Sequence, residues 1–161
     1  EKMKKGFTLI ELLVTLAIIG ILAGLGIFLY NGYTVSAKEN ACFQNFENLK
    51  RKINANYSLC KLKANSGILK LQGQFWQGKP GNNINFSCNN SFESIADMTV
   101  KDFTNYAKNH FEDFHGNIRV YTYIGDPPTD GDIAYYPESA GFMLRVKCNG
   151  NVKRYQWPRS Q

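Results

Sequence analysis

Residues 1–34 read EKMKKGFTLIELLVTLAIIGILAGLGIFLYNGYT. Phe7 to Tyr30 is apolar almost throughout, yet Glu11 stands inside it. Lys2, Lys4 and Lys5 precede the run. Positive charge is retained on the cytoplasmic side of a membrane, so the residues beyond Tyr30 are expected outside. Leu12 to Tyr30 carries no charge. As a helix, that stretch spans about 28 Å, roughly one hydrocarbon core. A secretory signal peptide has a shorter apolar core and a small-residue cleavage site. A plain membrane anchor fits the length but leaves Glu11 unexplained, because a carboxylate facing lipid costs several kcal/mol.

The stretch KGFTLIELLVTLAIIGILA resembles the class III leader and first helix of type IV pilins and of the related pseudopilins of type II secretion. YNGYTVSAKENA is similar to the helix continuation in Gram-negative pilins. The resemblance covers about the first 42 residues. It implies a leader at residues 1–6 and a transmembrane and filament-core helix half at residues 7–33. Residues 34–161 would be a globular headgroup, whose amphipathic helix half is residues 34–59. It further implies that a prepilin peptidase cuts between Gly6 and Phe7 and methylates the new amine of Phe7. Glu11 would then pair with the Phe7 amine of a neighbouring subunit and set the register of assembly. Many pilins carry proline where this chain has Phe28, so the usual kink there is not expected.

The implied function is a structural subunit of a type IV pilus, a fimbrium used for adhesion, motility or DNA uptake. The alternative is a type II secretion pseudopilin. The implied partners are further copies of the chain, the peptidase, and an inner-membrane assembly platform with its ATPase. DNA or a surface could be a partner as well. The precursor would sit in the inner membrane with its C-terminus outside, then move to the extracellular pilus. No cofactor is implied.

The 161 residues suffice for one domain beyond this extension. Net charge is +6. Such a mildly basic balance permits anionic partners without demanding them. Cys42, Phe46, Leu49, Ile53 and Tyr57 fall on one helical stripe. They predict a helix from about Phe7 to Leu59, its outer half packed on a sheet. The expected fold class is α+β, one long helix with an antiparallel sheet over its outer half, and the resemblance implies that this is a pilin-like ladle. Gly67–Gln77 mixes strand and turn signals, and Ile84–Cys88 reads as a short strand. Ser94–His110 reads as a second helix, with Thr99 and Asp102 at cap-box spacing. Asn117–Ile124 alternates like a strand. Phe142–Cys148 and Asn151–Trp157 flank Asn149-Gly150, a favoured two-residue hairpin turn. Phe142, Leu144, Val146 and Cys148 should face the helix.

Four cysteines outside the cytoplasm imply two disulfides. Cys42 and Cys60 stand eighteen residues apart on the helix. That is about 27 Å, whereas bridged Cα atoms lie within about 7 Å. The favoured pairing is Cys60–Cys88 with Cys42–Cys148, and Cys42–Cys88 with Cys60–Cys148 stays open.

Hydrolase, zincin and phosphate-loop motifs are missing, so the chain is not expected to be an enzyme. HFEDFH places Glu112 and Asp113 between His110 and His115, which reads as a solvated helix end. DPPTDGDIAYYPE gathers Asp126, Asp130, Asp132 and Glu138 in a loop, as pseudopilin calcium loops do. The spacing does not match an EF-hand, and Asp-Pro and Asp-Gly are common turn chemistry. Arg119, Tyr121, Tyr123, Arg145, Lys147 and Arg154 form a candidate nucleic-acid surface of cations and rings.

Overall fold

The computed structural model describes residues 6–63, 67–74, 79–109, 111, 118–122, 125–138 and 141–158; for Phe28, Pro137, Glu138 and Pro158 it describes the backbone alone. By its internal contacts the chain divides into two units, Glu1–Ala37 and Lys38–Gln161.

One continuous helix, α1, runs Leu9–Leu62. Its first half is Leu-, Ile- and Ala-rich, with no internal proline. Two of its threonine hydroxyls are satisfied locally: Thr15 donates to the Leu12 carbonyl at 2.8 Å, and Thr34 to that of Asn31 at 2.9 Å. Such back-bonding suits a helix with no water beside it. The helix ends one turn beyond the expected Leu59, with Lys61 in the last turn, where a cation suits the carbonyl end of the macrodipole.

Within Lys38–Gln161, α1 lays Cys42, Phe46, Leu49 and Ile53 into the core, each at most 2% exposed. The sheet covering it has the order β3(Val120–Thr122)–β4(Ile133–Glu138)–β5(Gly141–Cys148)–β6(Asn151–Pro158). β1(Ile68–Gln72) and β2(Asn83–Ser87) form a separate antiparallel pair. The second helix, α2(Phe92–Phe103), separates two apolar clusters. Phe92, Ala96, Val100 and Phe103 join the larger one, and Ile95 joins Leu69, Leu71 and the Cys60 and Cys88 sulfurs in the smaller.

Four details depart from the sequence reading. β3 runs parallel to β4, so the larger sheet is mixed. Strand β4 lies inside the stretch read as an acidic loop; its Ile-Ala-Tyr-Tyr run has the β-branched and aromatic residues strands favour. Helix α2 begins at Phe92, capped by the Ser91 hydroxyl, which accepts from the Ser94 amide at 3.3 Å. Thr99 is instead a buried mid-helix residue bonded back to the Ile95 carbonyl, and Asp102 accepts from Lys52 and the Gln72 amide. The described helix also stops at Phe103, short of His110. His110, Glu112, Asp113, His115, Asn117, Tyr123 and Ile124 lie outside the described residues.

The hairpin has the expected register, with Arg145 opposite Arg154 and Phe142 opposite Trp157. Phe142, Leu144, Val146 and Cys148 are all buried. Its turn has φ of 50° at Asn149 and 77° at Gly150, the left-handed pair a type I′ turn requires. Glu39 on α1 accepts from both Asn149 and Asn151, at 3.3 and 3.1 Å, and so ties the turn to the helix.

Candidate assembly site

The start of α1 supplies the first functional geometry. The Thr8 amide and hydroxyl donate to Glu11 Oε2 at 2.9 and 2.8 Å, and the Glu11 amide donates back to the Thr8 hydroxyl at 3.4 Å. This is a reciprocal capping box, which satisfies two donors that a helix terminus otherwise leaves open. The sequence reading missed Thr8. The signal was Thr-x-x-Glu directly before an apolar run; Glu11 was weighed against lipid and against the Phe7 amine of a neighbour, not against its own helix start. Within the chain, Glu11 thus has a partner before any neighbour arrives. Among the described residues its Oε1 carries no hydrogen bond.

Beyond that cap, the described large apolar side chains from Phe7 to Val35 are all exposed, from 46% at Val35 to 82% at Leu9. A Cβ built on Gly20, Gly24 or Gly26 would meet nothing within 4 Å. The helix is long and apolar enough to cross a membrane by length and composition.

Two disulfides brace the headgroup. Cys42 is bonded to Cys148, with Cα atoms 6.0 Å apart, and Cys60 to Cys88, with Cα atoms 5.0 Å apart. The helix is unbroken between Cys42 and Cys60, as that pairing needs.

The candidate basic surface divides into two groups, each built around a carboxylate. Asp126 accepts from Arg145 at 3.1 Å and from Arg154 at 3.4 Å. It thereby offsets the repulsion of two like charges directly opposite across the hairpin. Arg145 also donates to the Tyr136 hydroxyl at 2.5 Å. Arg119 and Tyr121 belong to the other group, around Asp132. Arg119 reaches that carboxylate at 3.2 Å, and Tyr121 donates to it at 3.4 Å. Lys147 stands partly buried on β5, and Tyr123 lies outside the described residues.

The acidic stretch is likewise committed to protein partners. Asp132 is fully buried. It also accepts from Asn109 at 3.1 Å, from the Arg119 amide at 3.3 Å and from the Thr129 hydroxyl. Gly131 makes this possible: its φ is 84°, and a Cβ there would fall 1.9 Å from Asn109 Oδ1. Asp130 accepts from the Gly150 amide at 2.9 Å, while Asp126 faces the arginines. The side chain of Glu138 is not described. Among the described residues no three His, Cys, Asp or Glu side chains gather for a metal ion. Asp126, Asp130 and Asp132 therefore do not converge as a calcium set.

Comparison with known proteins adds to this geometry. Residues 2–27 match the family described as the prokaryotic N-terminal methylation motif. The chain is 43% identical over 53 residues to a fimbrial protein of Moraxella nonliquefaciens, a match covering 33% of this chain and 34% of that protein. The chain thus spans about a third of the length of the curated relative it matches. No solved structure matches. The chain therefore carries a prokaryotic N-terminal methylation motif and, over about a third of its length, is similar to a fimbrial protein.

Proposed function

We propose that the chain is the precursor of a structural subunit that polymerises into a type IV pilus. One observation carries this reading. Between Phe7 and Val35 the subunit leaves its large described apolar side chains exposed, behind a single capped carboxylate. Apolar surface of that extent is stable only when something covers it. A membrane covers it before assembly, and the helices of neighbouring copies do so afterwards.

Cleavage between Gly6 and Phe7 by a prepilin peptidase creates a cationic amine next to the Thr8–Glu11 cap, and methylation of that amine leaves its charge in place. Glu11 then meets the amine of a neighbouring Phe7 in an apolar surround where the attraction is little screened. An unmatched carboxylate would be penalised there, so one stacking register is favoured. An inner-membrane platform and its ATPase would insert the subunit, taking it from the membrane to the cell surface. The pilus would serve adhesion, motility or DNA uptake. Commitment of Asp126, Asp130 and Asp132 to protein partners favours a pilin over a calcium-holding pseudopilin.

Mass spectrometry of sheared surface filaments tests the reading. The expected subunit begins at Phe7 and is one methyl group heavier than the unmodified chain. Filaments whose subunits retain residues 1–6 would overturn it, because the lysines there would be buried in the core.

A further inference from the structure

A recess of about 390 Å³ opens between α2, β2 and strands β3, β4 and β5 of the larger sheet. Phe86, Met98 and Phe142 make its walls apolar, and Glu93 and Asp97 also line it. Asp97 is spoken for: it accepts from Lys101 at 2.7 Å and from the Tyr135 hydroxyl at 2.5 Å. Glu93, partly buried in the first turn of α2, has no hydrogen bond or ion pair among the described residues.

That sets Glu93 apart from the other headgroup carboxylates described. Glu39 holds the hairpin turn, Glu47 pairs with Lys50, Asp102 with Lys52, and Asp126, Asp130 and Asp132 are engaged as above. An apolar slot with one uncommitted carboxylate fits a side chain that is a hydrocarbon stem with a cationic head.

The headgroup also offers such a side chain on the edge strand β6. The recess is lined from β3, β4 and β5 by Thr122, Tyr135 and Phe142, and β6 is the edge strand next to them. On β6, residues Lys153 to Gln156 are all exposed. Arg154 is held by Asp126, whereas Lys153 has no acidic partner among the described residues and rests over the Phe43 ring at 4.1 Å. An exposed cation–ring contact is weak and readily exchanged.

Resting on the polymerisation reading above, we propose that the Glu93 recess receives Lys153 of the next copy in the filament. Two different but complementary patches on one headgroup make a head-to-tail contact, the kind that can extend into an open helical polymer. The lysine stem fills the apolar slot and its ammonium meets Glu93.

Filaments grown from a mixture of ¹⁴N- and ¹⁵N-labelled wild-type chains, treated with a water-soluble carbodiimide, test this. The reagent activates a carboxylate, takes up the oxygen lost as a urea, and leaves an isopeptide bond only where an amine is in contact. The expected product joins Glu93 of a labelled copy to Lys153 of an unlabelled one. In the same assay Glu93→Lys should cut filament yield at least tenfold, and Glu93→Lys with Lys153→Glu should restore it. Abundant filaments in which Glu93 is unlinked, or linked only within one copy, would overturn the contact. A link from Glu93 to a different lysine of a neighbour would overturn Lys153 as the donor. Absence of wild-type filaments would remove the polymerisation reading first, and this contact with it.

Discussion

The two halves of α1 have the same backbone and opposite relations to the rest of the chain. From Leu9 to Ala37 the helix has its large described apolar side chains exposed; from Lys38 to Leu62 it buries a single stripe, with Leu49 and Ile53 wholly covered. The second half is stabilised by the rest of its own chain, through Glu39, the Cys42 and Cys60 bridges and the Trp157 indole, which donates to Asn54 at 2.7 Å. The first half lacks such ties among the described residues. Its stability comes from its cap, its internal bonds and whatever solvates it. A helix that is apolar all round is read as one meant for lipid or for other helices.

The sharpest way to break this comparison is at Glu11. Glu11→Ala should leave no surface filaments, while the precursor remains in the membrane and the headgroup melts within about 0.5 kcal/mol of wild type. Glu11→Gln separates the two roles of the carboxylate. Gln still reaches back to the helix start as a capping-box residue, but it carries no charge for an amine to meet. If assembly depends on charge, Gln fails as Ala does. Filaments of Glu11→Gln in wild-type yield, counted by electron microscopy, would leave only the capping role.

Much of this contrast was legible in the sequence. The charge-free run, the Cys42–Phe46–Leu49–Ile53 stripe and the Asn-Gly hairpin are local, strongly periodic signals, and each sits where expected. What could not be read was set by contacts distant in sequence. β3 was expected antiparallel, but its direction depends on pairing with β4 across the Asp126–Asp132 segment. The arginines were read as a free cationic face because nothing in their spacing tells that Asp126 and Asp132 fold back onto them. Asp132 looked like a candidate cation ligand for the same reason. Thr8 was legible but passed over.

The headgroup side is tested next by its staples. The Cys42–Cys148 bridge spans 106 residues of chain. Removing a native disulfide typically costs about 2–5 kcal/mol, against a total of about 5–15 kcal/mol for a domain. A Cys42→Ser, Cys148→Ser variant should therefore melt far earlier and yield few filaments. On the proposed reading, cleavage after Gly6 should be unchanged, since it would involve only the first residues of the apolar half. Loss of cleavage in that variant, read by the mass of the N-terminal peptide, would show that the two halves are not independent.

Within the headgroup, Arg119→Ala leaves Asp132 buried without its cation. Breaking a fully buried pair costs about 3–5 kcal/mol. The Arg119 side chain is 40% exposed, and Asn109, Thr129 and Tyr121 remain as donors. Water partly screens such a pair, so the expected cost is smaller, about 2 kcal/mol. For the wild-type chain, calcium or a chelator should leave the melting temperature unchanged, because the aspartates face different protein partners. Stabilisation of the wild-type headgroup by millimolar calcium would restore the acidic stretch as a cation site.

The smallest effect is specific to pH and belongs to Tyr135. Its ring is 1% exposed and stacks on Phe142 at 5.5 Å between centroids, while its hydroxyl donates to Asp97 at 2.5 Å. Burial first, and then the bond to a carboxylate that cannot accept a second negative charge beside it, push the phenol above its ordinary value. A neutral tyrosine favoured by folding binds its proton more tightly in the folded state than in the unfolded one. Its contribution is therefore complete below the unfolded pKa of about 10 and declines as pH rises past it. At neutral pH, Tyr135→Phe loses one buried hydrogen bond, worth about 1 kcal/mol. Above pH 10 the gap between wild type and variant should shrink and then reverse, as the unfolded tyrosine ionises and the folded one cannot. Lysines titrate in the same range, so the informative quantity is the difference between the two proteins, followed by thermal melts from pH 8 to 11. A constant gap across that range would mean that Tyr135 is not held neutral by its surroundings.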